Sequence, residues 1–135
     1  MNELLEIEAI KQLKARYCRL LDTKDWAGFR ALFTDDAVVD TTGSGGPRLT
    51  SADEFVGYVS TSLGESVTVH HVHAPEITLT SDSTADGIWA MEDRVKFADD
   101  RDLTGFGHYT ETYAKLDGQW RITSSTLTRL RVDFA

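Results

Sequence analysis

The sequence has 135 residues, 41% of them hydrophobic, which suits one domain over residues 1–135 with a single core. Its net charge of −8, from 22 acidic and 14 basic residues, argues against nucleic acid and anionic membranes as partners, because both are bound by basic surfaces. No apolar run approaches the roughly 20 residues needed to span a bilayer. The acidic N-terminus does not resemble a signal peptide and Cys18 is the only cysteine, so we expect a cytoplasmic protein.

The first half of the chain predicts helices. Three segments carry apolar residues at three- and four-residue steps: residues 3–22, 24–33 and 51–62. Asp25 is the expected N-cap of the second segment. Ser51 and Glu54 have the spacing of a capping box at the start of the third. Residues 37–41 predict a short strand, and residues 41–48, rich in Gly and Ser, a flexible loop.

From residue 67 onward the hydrophobic period changes to two, which is typical of strands. Five segments follow this pattern: residues 67–72, 76–81, 84–97, 104–116 and 119–132. The dipeptide Asp117-Gly118 predicts a tight hairpin between the last two. Helices followed by an antiparallel meander indicate an α+β fold. We expect a cone-shaped barrel with one open mouth: a strongly curved, mixed but mostly antiparallel sheet with the three N-terminal helices over its concave side.

Three histidines fall within four positions at the start of this meander. Alternation places His70 on one face of the strand and His71 and His73 on the other. They cannot all meet one metal ion on a regular strand, and paired cysteines and HExxH spacing are absent, so no metal site is predicted. An imidazole titrates near neutral pH, which suits His70 to general acid/base chemistry.

Asp93 lies in the segment WAMEDRV, on the same strand face as Trp89 and Met91. A carboxylate on an apolar face is costly unless it has a partner. If that partner is His70, the carboxylate orients the ring and stabilises its cationic form. The alternatives are a structural ion pair or an aspartate near a bulge.

Tyr17 and Asp22 lie five residues apart on the first helix, about 140° apart around its axis. They share a pocket only if the helix ends near Asp22 or the pocket wraps around it. Otherwise Tyr17 is a core residue, and Asp22 is a cap or lies in solvent.

The last two strands supply further candidates. His108 is on the strand face opposite Tyr109. Arg129 and Arg131 share a face by alternation, and one of them could anchor a substrate carbonyl or carboxylate by a bidentate contact. Surface ion pairs are the common alternative for such arginines.

Three segments carry a family resemblance: AIKQLKARYCRLLDTKDWAGFRALFTDDAVVD, HHVHAPEITLTSDSTADGIWAMED and GHYTETYAKLDGQWRITSSTLTRLRVD. Together they cover essentially the whole chain. They resemble the SnoaL-like polyketide cyclase/dehydratase group of the nuclear transport factor 2-like superfamily, and within it the bile acid 7α-dehydratase and, more distantly, the scytalone dehydratase type.

The resemblance implies a cofactor-independent dehydratase or isomerase, with a lyase favoured. Its substrate would be a small-to-medium apolar cyclic molecule, such as a steroid-like or polyketide-like hydroxy ketone. The implied catalytic residues are Tyr17, Asp22, His70 and Asp93. The resemblance implies Arg129 or Arg131 as the last residue of this set. We expect Arg129, Arg131, Trp89 and His108 to bind substrate. The resemblance also implies a homodimer through the outer sheet face. A non-catalytic binding or dimerisation module is the alternative, in the extreme a cone filled by side chains.

Overall fold

The structure, a computed structural model, describes residues 2–135. Its helices are α1 (Glu3–Asp22), α2 (Trp26–Arg30) and α3 (Ala52–Leu63). Its strands are β1 (Phe33–Asp40), β2 (Arg48–Leu49), β3 (Val67–Leu79), β4 (Thr84–Lys96), β5 (Asp102–Leu116) and β6 (Gln119–Phe134). A 3-10 turn at Thr42–Ser44 and the short β2 give part of the predicted flexible loop regular structure. None of the helices in residues 2–135 is long and apolar enough to cross a membrane.

Two predicted helix caps are confirmed. Asp25 accepts a hydrogen bond from the Gly28 backbone N–H at 2.9 Å, and Ser51 accepts one from the Glu54 N–H at 3.2 Å. The second helix is shorter than predicted because the chain after it joins the sheet. The Ile122 N–H donates to the Leu32 carbonyl at 2.8 Å, and β1 begins at the next residue.

The six strands form one mixed sheet in the order β2-β1-β6-β5-β4-β3. The β1–β6 pair is parallel, and the other pairs are antiparallel. The predicted α+β class is confirmed, with three helices and a mostly antiparallel sheet. The sheet is open rather than closed, and β2 and β3 are its edges.

One strand, β3, replaces the two strands predicted on either side of Pro75. The pairing with β4 shifts by one residue between His73 and Glu76, and Ala74 has a positive φ of 35°. Pro75 cannot donate to a ladder, but an edge strand with a bulge tolerates it. The strand therefore continues through the proline, and His70 stays in register opposite Asp93.

The core lies between the helices and the inner face of the sheet. Aromatic rings form its centre, with ring centroids 5.0 Å apart for Tyr17 and Phe29, and 5.3 Å apart for Phe29 and Phe33. Phe55 of α3 packs on Phe33 at 5.5 Å. Burying side chains of this size contributes roughly 1.5–3 kcal/mol each. This packing fixes α1 and α3 against the sheet and leaves a hollow between them.

Candidate active site

A cavity of about 270 Å³ lies between α1, α3 and the inner face of the sheet. Its walls are largely apolar, formed by Leu21, Val39, Phe55, Val59, Leu63, Val95, Phe97, Leu103 and Leu127. Its polar lining includes Tyr17, Thr41, Tyr58, His70, Asp93, Tyr109, Ser125 and Arg129. Exposed residues of the 3-10 turn and of α3, such as Ser44 and Ser62, also line it. An apolar hollow with a few polar groups is the usual form of a small-molecule site, and it excludes a cone filled by side chains.

The His70 ring is hydrogen-bonded to Asp22, the last residue of α1. Nδ1 lies 2.7 Å from Asp22 Oδ1, and only 7% of His70 is exposed. Asp22 also accepts hydrogen bonds from the His70 backbone N–H and from the Thr68 hydroxyl, each at 2.8 Å. An ionised carboxylate can only accept, so Nδ1 carries a proton, and in the neutral ring Nε2 carries the lone pair. Tyr17 and His70 line the cavity, whereas Asp22, at the end of α1, stands behind the ring and outside the lining.

Asp93 does not orient the ring as the sequence reading expected. Its Oδ2 lies 3.8 Å from His70 Nε2, beyond hydrogen-bond distance. Arg129 holds it instead through two bonds, Nη1 to Oδ1 at 2.7 Å and Nη2 to Oδ2 at 3.1 Å. The ion pair named as an alternative is therefore present, and the hydrogen-bonded partner of His70 is Asp22.

Gly105 makes this ion pair possible. It is paired with Asp93 across β4 and β5. A Cβ at this position would collide with Nη1 of Arg129 and Oδ1 of Asp93. The guanidinium therefore reaches from β6 over β5 to β4 through the space that the glycine leaves.

The expectation that Arg129 and Arg131 share a face is wrong. Phe106 pairs with Arg131 and Gly107 with Arg129, so Leu130 is an extra residue in β6. Such a bulge reverses the alternation, and it sends Arg129 inward and Arg131 outward. The Arg131 side chain is 70% exposed and pairs with Asp133, so it lies outside the cavity lining.

Two other predicted substrate-binding residues do not line the cavity. Trp89 is buried, and its Nε1 donates to the Tyr113 hydroxyl at 2.8 Å. His108 lies on the opposite sheet face from buried Tyr109, as alternation predicts, and this face is the outer one. His71, likewise on the outer face, has a side chain that is 56% exposed.

Tyr17 and Tyr109 form part of the polar lining. Both are buried, and their ring centroids lie 5.7 Å apart. Burial, with a smaller contribution from the Glu111 carboxylate, raises the pKa of Tyr17 well above the ordinary tyrosine value. Burial also raises the pKa of Tyr109, with the Tyr17 phenol as the next cause. Both phenols therefore remain neutral hydrogen-bond donors at physiological pH.

The sequence reading missed a buried polar network behind these phenols. Lys14 Nζ lies 2.7 Å from Oε2 of Glu111, and neither side chain is exposed. Glu111 also accepts from the Ser125 hydroxyl at 2.6 Å and the Tyr113 hydroxyl at 2.8 Å. A signal was available: Lys14 interrupts the apolar stripe of the first helix, and Glu111 lies on the inward face of its strand beside Tyr109.

The charged groups of the site do not form a metal centre. Within residues 2–135, no group of three or more His, Cys, Asp or Glu side chains is arranged to hold a metal ion. Each charged side chain at the polar end has a protein partner: Asp22 with His70, Asp93 with Arg129, and Glu111 with Lys14.

Comparisons with known proteins identify the family of the chain. The model of a family described as the SnoaL-like domain matches residues 2–126. A probable cyclase of Gibberella zeae is 24% identical over 133 residues, covering 90% of this chain and 89% of the relative.

Solved structures share the fold. A scytalone dehydratase-like protein of Novosphingobium aromaticivorans is 24% identical with a TM-score of 0.86, over 97% of this chain and 88% of its own. Hexachlorocyclohexane dehydrochlorinase LinA-type3 of Novosphingobium barchaimii is 16% identical with a TM-score of 0.83, over 98% of this chain and 92% of its own. At these identities the likeness shows the architecture alone.

Proposed function

This chain belongs to the SnoaL-like domain family, and we propose that it is a cofactor-independent acid/base enzyme that eliminates water from a small, uncharged cyclic hydroxy ketone. One observation carries the proposal. The His70 ring is held by Asp22 at 2.7 Å, while its Nε2 makes no hydrogen bond and lies in an apolar cavity. In its neutral form such an imidazole presents a lone pair to the cavity, and it can then act as a general base.

In the proposed reaction, His70 Nε2 takes the proton from the carbon next to the carbonyl. The electron pair of that C–H bond forms the new double bond, and the hydroxyl on the neighbouring carbon leaves. The imidazolium returns the same proton to this hydroxyl, which departs as water. Asp22 stabilises the imidazolium while it exists and keeps Nδ1 protonated throughout.

Tyr17 is the proposed donor to the substrate carbonyl oxygen. Negative charge develops on that oxygen as the proton leaves, and a preorganised donor in an apolar site stabilises such charge strongly. Because the pKa of Tyr17 is raised by burial, the phenol keeps its proton to donate. Tyr109, beside it in the lining, is a second candidate donor.

Arg129 and Asp93 act as a unit in this proposal. All three guanidinium nitrogens are engaged: Nη1 and Nη2 with Asp93, and Nε with the Ser44 hydroxyl at 3.0 Å. The arginine therefore neutralises the carboxylate near Nε2 rather than presenting a free cation. This balance of charges favours an uncharged substrate over a carboxylate or phosphate.

The names of the similar proteins support elimination. One structural neighbour is named for the loss of hydrogen chloride and another for the loss of water. Both reactions remove a proton and a leaving group from adjacent carbons, and both need a base in an apolar site. Isomerisation uses the same groups, with the proton returned to another carbon, so elimination is the more specific part of the proposal.

The test is a screen of one- and two-ring β-hydroxy ketones, following the absorbance of the enone product. We expect His70→Ala to abolish turnover. His71→Ala, a matched control from the outer face of the same strand, should keep it. Equal turnover in the wild type and in His70→Ala would overturn the assignment. Incorporation of deuterium from D₂O into the ketone without enone formation would indicate proton abstraction without elimination.

The alternative, a non-catalytic binding module, has one observation in its favour. Tyr17, His70 and Asp93 are not hydrogen-bonded to one another. Instead, His70 is bonded to Asp22, and Asp93 is bonded to Arg129. Binding of the hydroxy ketones without turnover would support it. The homodimer through the outer sheet face stays a prediction, and the mass of the particle in solution tests it.

A further inference from the structure

Behind the polar end of the cavity lies a charge pair that the proposed reaction does not use. Lys14, three residues before Tyr17 on α1, is fully buried with Glu111 of β5 as its partner at 2.7 Å. Neither residue lines the cavity. Replacing a buried ion pair by apolar side chains of similar volume is often neutral or stabilising. Stability alone is therefore a weak explanation for this pair.

The ammonium lies against the two phenol rings of the site. Lys14 Nζ is 3.5 Å from the ring centroid of Tyr17 and 3.7 Å from that of Tyr109. An ammonium has three N–H bonds, and one of them is used on Glu111. The rest of the ammonium faces the two aromatic rings, whose quadrupoles attract a cation. Two of the three tyrosine rings that line the cavity thus share one cation.

The carboxylate has its own set of donors. Besides Lys14, Glu111 accepts from the Ser125 and Tyr113 hydroxyls, and Trp89 in turn donates to Tyr113. These bonds spread the negative charge over the network, while the positive charge remains concentrated at the rings. A cation on the face of a phenol withdraws electron density from the ring and strengthens the hydroxyl as a donor.

We infer that Lys14 is a positioning residue for an oxyanion site made by Tyr17 and Tyr109. Its ammonium, anchored by Glu111, fixes both rings and strengthens their hydroxyls as donors to a substrate oxygen that gains negative charge. The inference rests on the proposed function, because it concerns the same oxygen. Asp22, Asp93 and Glu111 oppose negative charge in the cavity, whereas Arg129 and a protonated His70 favour it.

The experiment uses 2-naphthol, an apolar two-ring phenol whose fluorescence distinguishes its neutral and ionised forms. Its pKa is measured free and bound to the protein. In the wild type we expect the bound pKa to lie below the free value. In the pair Lys14→Met with Glu111→Gln, which removes both charges together, we expect it to rise by about one pH unit, a tenfold change in the ionisation constant.

A matched control comes from the same two elements. Lys115 of β5 pairs with Glu6 of α1 at 2.8 Å, and both lie outside the cavity lining. The pair Lys115→Met with Glu6→Gln removes the same kinds of charge between the same two elements, from side chains that are 30% and 14% exposed. We expect this variant to leave the pKa of bound naphthol at the wild-type value. If Lys14 only held α1 against β5, the two double variants would have the same effect on the pKa of bound naphthol.

Each outcome decides the inference. A bound pKa that is equal in the wild type and in the Lys14/Glu111 variant overturns it and leaves the elimination proposal standing. No lowering of the pKa in the wild type, or no binding of naphthol up to its solubility, also overturns it, and the His70→Ala assay then judges the proposed function separately. If the Met/Gln pair does not fold, Lys14→Gln with Glu111→Gln makes the same comparison.

Discussion

Replacing Asp22 by asparagine separates the two carboxylates near His70, because it changes one hydrogen-bond acceptor into a donor. In the native protein Oδ2 of Asp22 accepts from the His70 backbone N–H, which can only donate. Oδ1 accepts from the Thr68 hydroxyl and the His70 ring. The single oxygen of asparagine must therefore face the backbone N–H, and its amide N–H groups face the ring.

The expected consequence is a change of tautomer. Nδ1 becomes an acceptor, the ring proton moves to Nε2, and the lone pair leaves the cavity. An equivalent change in a serine-protease triad lowers kcat by about 10⁴, and we expect a loss of about 10³–10⁴ here. The loss of charge-assisted hydrogen bonds lowers stability by about 1–3 kcal/mol, toward the lower end because the Asp22 side chain is 21% exposed.

The assay is ¹⁵N NMR of the imidazole nitrogens, which distinguishes the two tautomers and needs no substrate. The chain has only four histidines, so assignment through His70→Ala is direct. Asp93→Asn is the control: it unpairs Arg129 but leaves Nδ1 of His70 bonded to Asp22. A wild-type ring protonated on Nε2 alone, or an Asp22→Asn protein with an unchanged tautomer and full turnover, would refute the reasoning.

Three further results follow from the geometry. Gly105→Ala places a methyl group against the Asp93–Arg129 pair. We expect it to lower the free energy of unfolding in urea by about 1–3 kcal/mol. Gly57→Ala, which has open space on α3, should be neutral or stabilising. In steady-state kinetics, Arg131→Ala should leave turnover unchanged and Arg129→Ala should lower it at least tenfold. Equal effects would contradict the placement of Arg129 inside the sheet and Arg131 outside it. Burial raises the pKa of Tyr17, Tyr109 and Tyr113 above that of unfolded tyrosine, so the unfolded chain loses these protons first. Stability is then complete below about pH 10 and falls above it by about 4 kcal/mol per pH unit for the three phenols together; unfolding free energies that stay constant from pH 9 to 11 would contradict this.

Local patterns were sufficient for much of the site. Alternation alone placed His70 inward and His71 outward, and side-chain chemistry placed the N-caps at Asp25 and Ser51. The position of Asp22 depended on where α1 ends, which the sequence left open. The strand faces and the caps depend on neighbours a few residues away, and for that reason they can be predicted from a single chain.

Irregularities that arise from pairing between strands could not be read in this way. The extra residue Leu130 reverses the alternation between Arg129 and Arg131, and only the register of β6 against β5 reveals it. Similarly, the strand pattern predicted Asp93 as the partner of His70, whereas the structure shows Asp22 in that place. The choice depends on Arg129, which reaches Asp93 across the space left by Gly105, and no local pattern encodes that reach.

The parallel pairing of β1 with β6 also affects how this protein folds. It joins an early strand to the last one, and the Lys14–Glu111 bond spans 97 residues. A chain must close most of its length before such contacts form, and high contact order slows folding. The histidine, its carboxylate and the arginine come from the middle, the beginning and the end of the sequence. A nascent chain on the ribosome therefore holds no working site until its final strand has emerged and docked.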